Sequence, residues 1–186
     1  MHSMNVLTIN TAPEDGTDLI QIAEDARGYF PKETWTEVGY LGELGLEHDV
    51  TIKIGGESTG AFLFEKLIRR VRSRKDAHRS TDLLLGLTQD PIVAMYHSFE
   101  GKHLKRTLYL VHDYVTDAVG IVSFFRVHED HSRKLVAHGL GHSRGLQHHL
   151  EPVDIMYPGL LRTPALTVEG FCEVCSQKLK EDPSDA

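Results

Sequence analysis

Cysteine is nearly absent: the 186 residues hold two, Cys172 and Cys175. That excludes a disulfide scaffold, and their C-x-x-C spacing reads as a metal or redox pair in a reducing compartment. Positive charge is not in excess either. A net charge of -7 argues against a nucleic-acid surface and favours solubility. No apolar run approaches the roughly 20 residues that span a bilayer, so no membrane partner is expected. The opening MHSMNVLTIN lacks the basic segment and long apolar stretch of a secretory signal. It leads directly into a strand-like run, and the chain is expected in the cytoplasm. Repeats and low-complexity segments are missing, and only EDPSDA, residues 181–186, reads as a disordered tail.

What is present is ordinary for a globular protein, with 40% hydrophobic and 25% charged residues. The length suits one domain over residues 1–180. NVLTIN (5–10) reads as an opening strand and DGTDLIQIAEDARGY (15–29) as a helix. HDVTIKI (48–54) reads as a second strand. GGESTG after it reads as a loop whose Ser58 or Thr59 caps a helix over about 60–73. The basic run RRVRSRK (69–75) suits the solvated end of that helix. TDLLLGLT (81–88), PIVAMYHS (91–98), RTLYLVHDY (106–114) and AVGIVSFFRV (118–127) are four strand-like runs with short turns between them. Helix–strand alternation followed by consecutive strands predicts an α/β (α+β) fold, a mixed twisted sheet packed with helices.

Histidine is the chemical anomaly. There are twelve, five of them between His131 and His149. Residues 132–145 can form a helix on which His138 and His142, four apart, share a face. Gly145 accepts the left-handed conformation that ends a helix sharply, which lets His148 swing back as a third nitrogen. Three protein ligands with a fourth position open is the arrangement of catalytic rather than structural zinc. Gly139 and Gly141 each cost such a helix about 1 kcal/mol relative to alanine, so it needs support from packing or metal.

The string H-G-x-G-H-x-x-G-x-x-H, with Met156 and a C-terminal C-x-x-C after it, resembles the archaemetzincins, small metzincin-type zinc peptidases. Their pattern is H-E-x-x-H-x-x-G-x-x-x-C-x-x-x-x-C-x-M, ending in C-x-x-C. TDLLLGLTQDPIVAMY and AVGIVSFFRV also resemble the strands leading to that family's active-site helix. The resemblance implies a zincin-like fold with a small C-terminal subdomain. It implies His138, His142 and His148 as zinc ligands and Met156 as the methionine of the turn beneath the metal. The strand around 119–127 becomes the upper rim of a cleft where a peptide substrate adds as an extra strand. Tyr157 becomes a group that polarises a bound carbonyl.

The chain departs from the pattern in two respects. Gly139 stands where the family has the glutamate that acts as general base, a role worth about 10² to 10⁴ in rate. Glu129, Asp130 and Glu151 are the carboxylates near in sequence. The family's four structural cysteines fall on His149, Asp154, Cys172 and Cys175, all residue types that bind zinc, so a second, structural zinc is expected beside the alternative of a free thiol pair. Three functions follow: a zinc metallopeptidase with weak hydrolysis, a zinc-bearing module that binds peptides without cleaving them, and a different metal-assisted hydrolysis.

Overall fold

The computed structural model describes residues 2–11, 13–164 and 167–180; the tail expected at 181–186 lies outside them. The first half of the chain runs β1 (His2–Ile9), α1 (Pro13–Ala26), β2 (Trp35–Leu44), β3 (Val50–Ile54), β4 (Glu57–Leu63) and α2 (Phe64–His78). The second half runs β5 (Leu83–Thr88), β6 (Ile92–Glu100), β7 (His103–Val111), β8 (Asp113–Val115), β9 (Val119–Ser123), α3 (Glu129–Ser143) and α4 (Glu173–Lys178).

Every residue of β5 is buried, which requires cover on both faces. Its sheet has the order β2-β1-β5-β9-β8, parallel throughout except for the antiparallel edge strand β8. Strand alternation divides the core. Leu83, Leu85 and Leu87 pack with α1 and α3 on one face, while Leu84, with Ile121 of β9, meets Leu67 and Val71 of α2 on the other. The mixed α/β architecture is the one expected from the sequence, with a second, four-stranded sheet, β3-β4-β6-β7, beside it. No helix of the described residues is long and apolar enough to cross a membrane.

Three local expectations are corrected. Gly55 and Gly56 both have positive φ, 62° and 90°, which is the two-residue turn that suits a tight hairpin. GGESTG is therefore a hairpin turn, Ser58 and Thr59 lie in β4, and α2 starts later, after Leu63. RTLYLVHDY is not one strand: it divides at His112, so that β7 belongs to the small sheet and β8 to the large one. Finally, the strand within AVGIVSFFRV offers no edge for a substrate strand, although Phe125, Arg126 and Val127 after it line the cleft described below. β9 lies between β5 and β8, with both of its edges paired, and the open edge belongs to β8.

The small sheet is tied to α2 through Asp49, just before β3. Its carboxylate accepts hydrogen bonds from the Leu63 amide at 3.1 Å and from both Arg70 terminal nitrogens at 3.2 and 2.8 Å, with Lys66 3.5 Å away. Arg70 thus spends its charge inside the fold, and Lys75 donates to the Ala118 carbonyl at 2.9 Å. Burial pushes the Asp49 carboxyl up, but the Leu63 amide, Arg70 and Lys66 outweigh it and hold it below its ordinary value of 3.8. A depressed carboxyl stabilises the fold above its unfolded pKa, and the contribution fades as pH falls through the folded value. Asp49→Asn is expected to lower stability by about 2 kcal/mol at pH 7 in urea unfolding. The difference from wild type should shrink below about pH 4.

Candidate metal centre

Helix α3 carries the histidines, and its termination brings the third one back. Gly145, at φ 78°, donates to the His142 carbonyl at 3.0 Å, and Leu146 donates to the Gly141 carbonyl at 3.0 Å. These two bonds are the paired closure of a glycine-capped helix end. The chain reverses there, and the Nε2 atoms of His138, His142 and His148 form a triangle with edges of 3.1, 3.2 and 3.3 Å. The ring orientations are set from behind. His138 Nδ1–H donates to the Ile155 carbonyl at 2.7 Å and His142 Nδ1–H to the Leu146 carbonyl at 3.0 Å. A ring that donates from Nδ1 presents the unprotonated Nε2 lone pair forward.

The donor set fits a metal ion. Tetrahedral zinc with bonds of about 2.0 Å to nitrogen separates its ligand atoms by about 3.3 Å, matching the triangle. Burial lowers the pKa of His138, against the pull of its Ile155 bond and of Asp154. Burial and the adjacent His138 lower those of His142 and His148. The rings therefore favour the neutral form that ligation requires.

The same chain reversal assembles a second group. His149 Nδ1 stands 3.6 Å from Cys172 Sγ and 3.7 Å from Asp154 Oδ2, and its Nε2 stands 3.4 Å from Cys175 Sγ. One ligand atom from each of the four residues lies within 4.8 Å of the others, and all four are residue types that bind zinc. Both cysteines are free thiols. Burial, with the charge of Asp154 and the neighbouring Cys172, pushes the Cys175 thiol up to about 12. Asp154 already has structural work: Oδ1 accepts from the Met156 amide at 2.7 Å and Oδ2 from the Cys172 amide at 3.2 Å.

Both glycines of α3 are explained by close contact. A Cβ on Gly141 would lie 2.6 Å from Met156 Sδ and 3.3 Å from the Phe171 ring. The fully buried Met156 thus packs directly under the helix between the two histidine turns. A Cβ on Gly139 would lie 2.6 Å from Val115 Cγ2 and 3.4 Å from Asp113 Oδ2. Val115 also fits against Gly120 of β9, so this stiff side chain is held between two glycines. Beside His138 a cleft of about 860 Å³ opens, lined also by Leu110, His112 and Asp113 of the β7–β8 segment and by Tyr157 and Leu160.

In architecture the chain matches solved zinc peptidases. Archaemetzincin from Methanopyrus kandleri aligns with a TM-score of 0.65 and 20% identity, over 96% of this chain and 94% of that one. A zinc-dependent peptidase from Methanocorpusculum labreanum aligns with a TM-score of 0.59 and 17% identity, over 95% of this chain and 100% of that one. The fold is that of the archaemetzincins. Metalloproteinase-II from Bacteroides fragilis is more distant, with a TM-score of 0.50 and 12% identity over 96% of this chain and 52% of its own. No protein-family model matches the sequence, and no curated protein matches it either.

Within this archaemetzincin fold, every residue singled out in the sequence has a defined place. His138, His142 and His148 converge; His149, Asp154, Cys172 and Cys175 converge; Met156 lies beneath α3, and Tyr157 lines the cleft. The candidate carboxylates do not reach the triangle. Glu129 and Asp130 are exposed at the far end of α3, more than two turns or about 12 Å from His138, and Glu151 is exposed. Sequence reasoning missed Asp113, whose Oδ2 lies 3.9 Å from His138 Nε2. Its signal was the H-D-Y-V string, an aspartate inside a strand, where that residue is depleted. Burial raises the Asp113 carboxyl to about 6, opposed by His142, His112 and His148.

The Val115–Gly139 contact is testable by a double-mutant cycle. Gly139→Ala alone is expected to cost about 1–3 kcal/mol, which lowers Tm by several degrees. In Val115→Ala/Gly139→Ala most of that cost should vanish, leaving a coupling of about 1 kcal/mol in thermal melts.

Proposed function

We propose that the chain is a zinc-dependent hydrolase of peptide bonds. The observation that carries this reading is the Nε2 triangle of His138, His142 and His148, whose His138 lines an open cleft together with Asp113 of the unpaired edge strand β8. Zinc in such a site supplies Lewis acidity, polarising a carbonyl and acidifying water. The chain's own residues supply position. His112 accepts from the Ser123 amide at 2.7 Å and Thr116 donates to the Val119 carbonyl at 3.0 Å. Antiparallel alternation then turns the backbone N–H and C=O of Asp113 and Val115 toward the open edge. An extended peptide can pair there with its carbonyl over the histidines. Tyr157, on the opposite wall, is suited to donate to that carbonyl.

The second reading is a protein that binds peptides without cleaving them, favoured by Gly139, where no side chain can accept a proton. Incubating a mixed peptide library with the zinc-loaded protein, beside His142→Ala, separates the two. Cleavage by wild type that is lost in His142→Ala supports the hydrolase. Saturable peptide binding without any cleavage supports the alternative.

The second donor group is proposed as a structural zinc that fastens the C-terminal segment of a cytoplasmic protein. Two equivalents of zinc per chain are then expected by elemental analysis. Cys172→Ser/Cys175→Ser should retain one equivalent and melt at lower temperature.

A further inference from the structure

In this site the helix lacks a carboxylate and the adjoining strand has one. We propose that Asp113 of β8 is the catalytic carboxylate of the three-histidine site, doing from the strand what a glutamate at 139 would do from the helix. The inference rests on the hydrolase reading above and names the group that would accept the water's proton.

Three observations carry it. First, β8 alternates, so Asp113 and Val115 point to the same face, and both side chains meet α3 at Gly139. Val115 fills the space where a side chain at 139 would begin, and Asp113 Oδ2 lies 3.4 Å from the same point. A glutamate cannot be written back at 139 without moving Val115.

Second, the 3.9 Å from Asp113 Oδ2 to His138 Nε2 exceeds the 3.1 to 3.3 Å edges of the histidine triangle. The donor atoms that lie within 4.8 Å of one another at this centre are those of the three histidines without Asp113, so the carboxylate stands outside the ligand set. It is too distant for a direct hydrogen bond to the ring nitrogen and close enough for one water to bridge.

Third, the Asp113 side chain is only 18% exposed, yet among the described residues it accepts no hydrogen bond. A nearly buried carboxylate is usually satisfied by protein donors. Asp154, a buried acid nearby, has both oxygens engaged. Asp113 is free to take a hydrogen bond from what occupies the cleft.

The step balances as follows. One O–H bond of the attacking water breaks, its proton passes to Asp113 Oδ2, and the oxygen's electron pair forms a bond to the scissile carbonyl carbon as the C=O π pair moves onto the carbonyl oxygen. When that pair re-forms the C=O bond the C–N bond breaks, its electron pair stays on nitrogen, and the nitrogen takes the proton back from Asp113. The products are an acid and an amine, and the aspartate is regenerated.

Asp113→Asn, isosteric and unable to accept a proton, is the test, with three readouts on the full chain. Zinc affinity, by competition with a chromophoric chelator, should stay within about threefold, because Asp113 is not a ligand. Acetohydroxamic acid, titrated against the cobalt-substituted protein by visible absorption, should bind at least tenfold more weakly, since its released proton has lost its acceptor. Peptide cleavage should fall about 10² to 10⁴-fold. Asp113→Glu should recover part of the hydroxamate affinity, which separates a missing carboxylate from a misfolded strand. Unchanged hydroxamate affinity in Asp113→Asn would overturn the proposal, and so would a thirtyfold loss of zinc affinity, which would make Asp113 a ligand. Wild type that cleaves nothing, with hydroxamate affinity that still depends on Asp113, would overturn the hydrolase reading while keeping Asp113 as the proton acceptor of the site.

Discussion

The site depends on how closely α3 lies to its neighbours. On one side Gly139 admits Val115 and Asp113 of β8; on the other Gly141 admits Met156 and Phe171. Side chains larger than hydrogen at either position would push the helix away. The His138 Nδ1 bond to the Ile155 carbonyl, 2.7 Å long, spans the same narrow gap. Widening it by an ångström would release the ring and open the triangle it completes. The glycines weaken α3 as an isolated helix, and interior close packing offsets this.

The C-terminal segment is organised by a buried charge rather than by regular structure. Asp154 holds the Met156 and Cys172 amides with its two oxygens, while Ile155 donates to the Gly170 carbonyl at 2.9 Å and His149 to the Met156 carbonyl at 3.0 Å. Ile155, Met156, Leu160, Val168 and Leu179 are buried in the main core, and these directional bonds fix the irregular backbone that joins them. A cation among His149, Asp154, Cys172 and Cys175 would neutralise the charge that these amides now bear alone.

Much of this was legible in the sequence, for identifiable reasons. The i, i+4 histidines and Gly145 encode local geometry: a helix repeat and a helix stop, whose consequences reach only a few residues. The apolar run in TDLLLGLT (81–88) marked a strand, which the fold buries at every position from Leu83 to Thr88. What was not legible is where distant segments meet. No periodicity tells that RTLYLVHDY divides at His112 between two sheets, or that its last two residues join Val115 in an edge strand over α3. Asp113 was overlooked for that reason, since it lies 25 positions before His138 and only the sheet order brings it near. Gly139 looked like a deletion of function because its partner across the gap was not yet visible.

β8 is three residues long, and each has a fixed orientation. Tyr114 faces away from α3, its ring 5.0 Å from that of Phe64, while Asp113 and Val115 face α3. A single inserted or deleted residue within the strand would exchange those faces and place a tyrosine over the helix glycine. A shift of two would keep the face but move the acid out of reach of the histidines. The segment from Val111 to Val119 can therefore tolerate exchanges of side chain more readily than any change of length, so its spacing is as much a component of the centre as the histidines themselves.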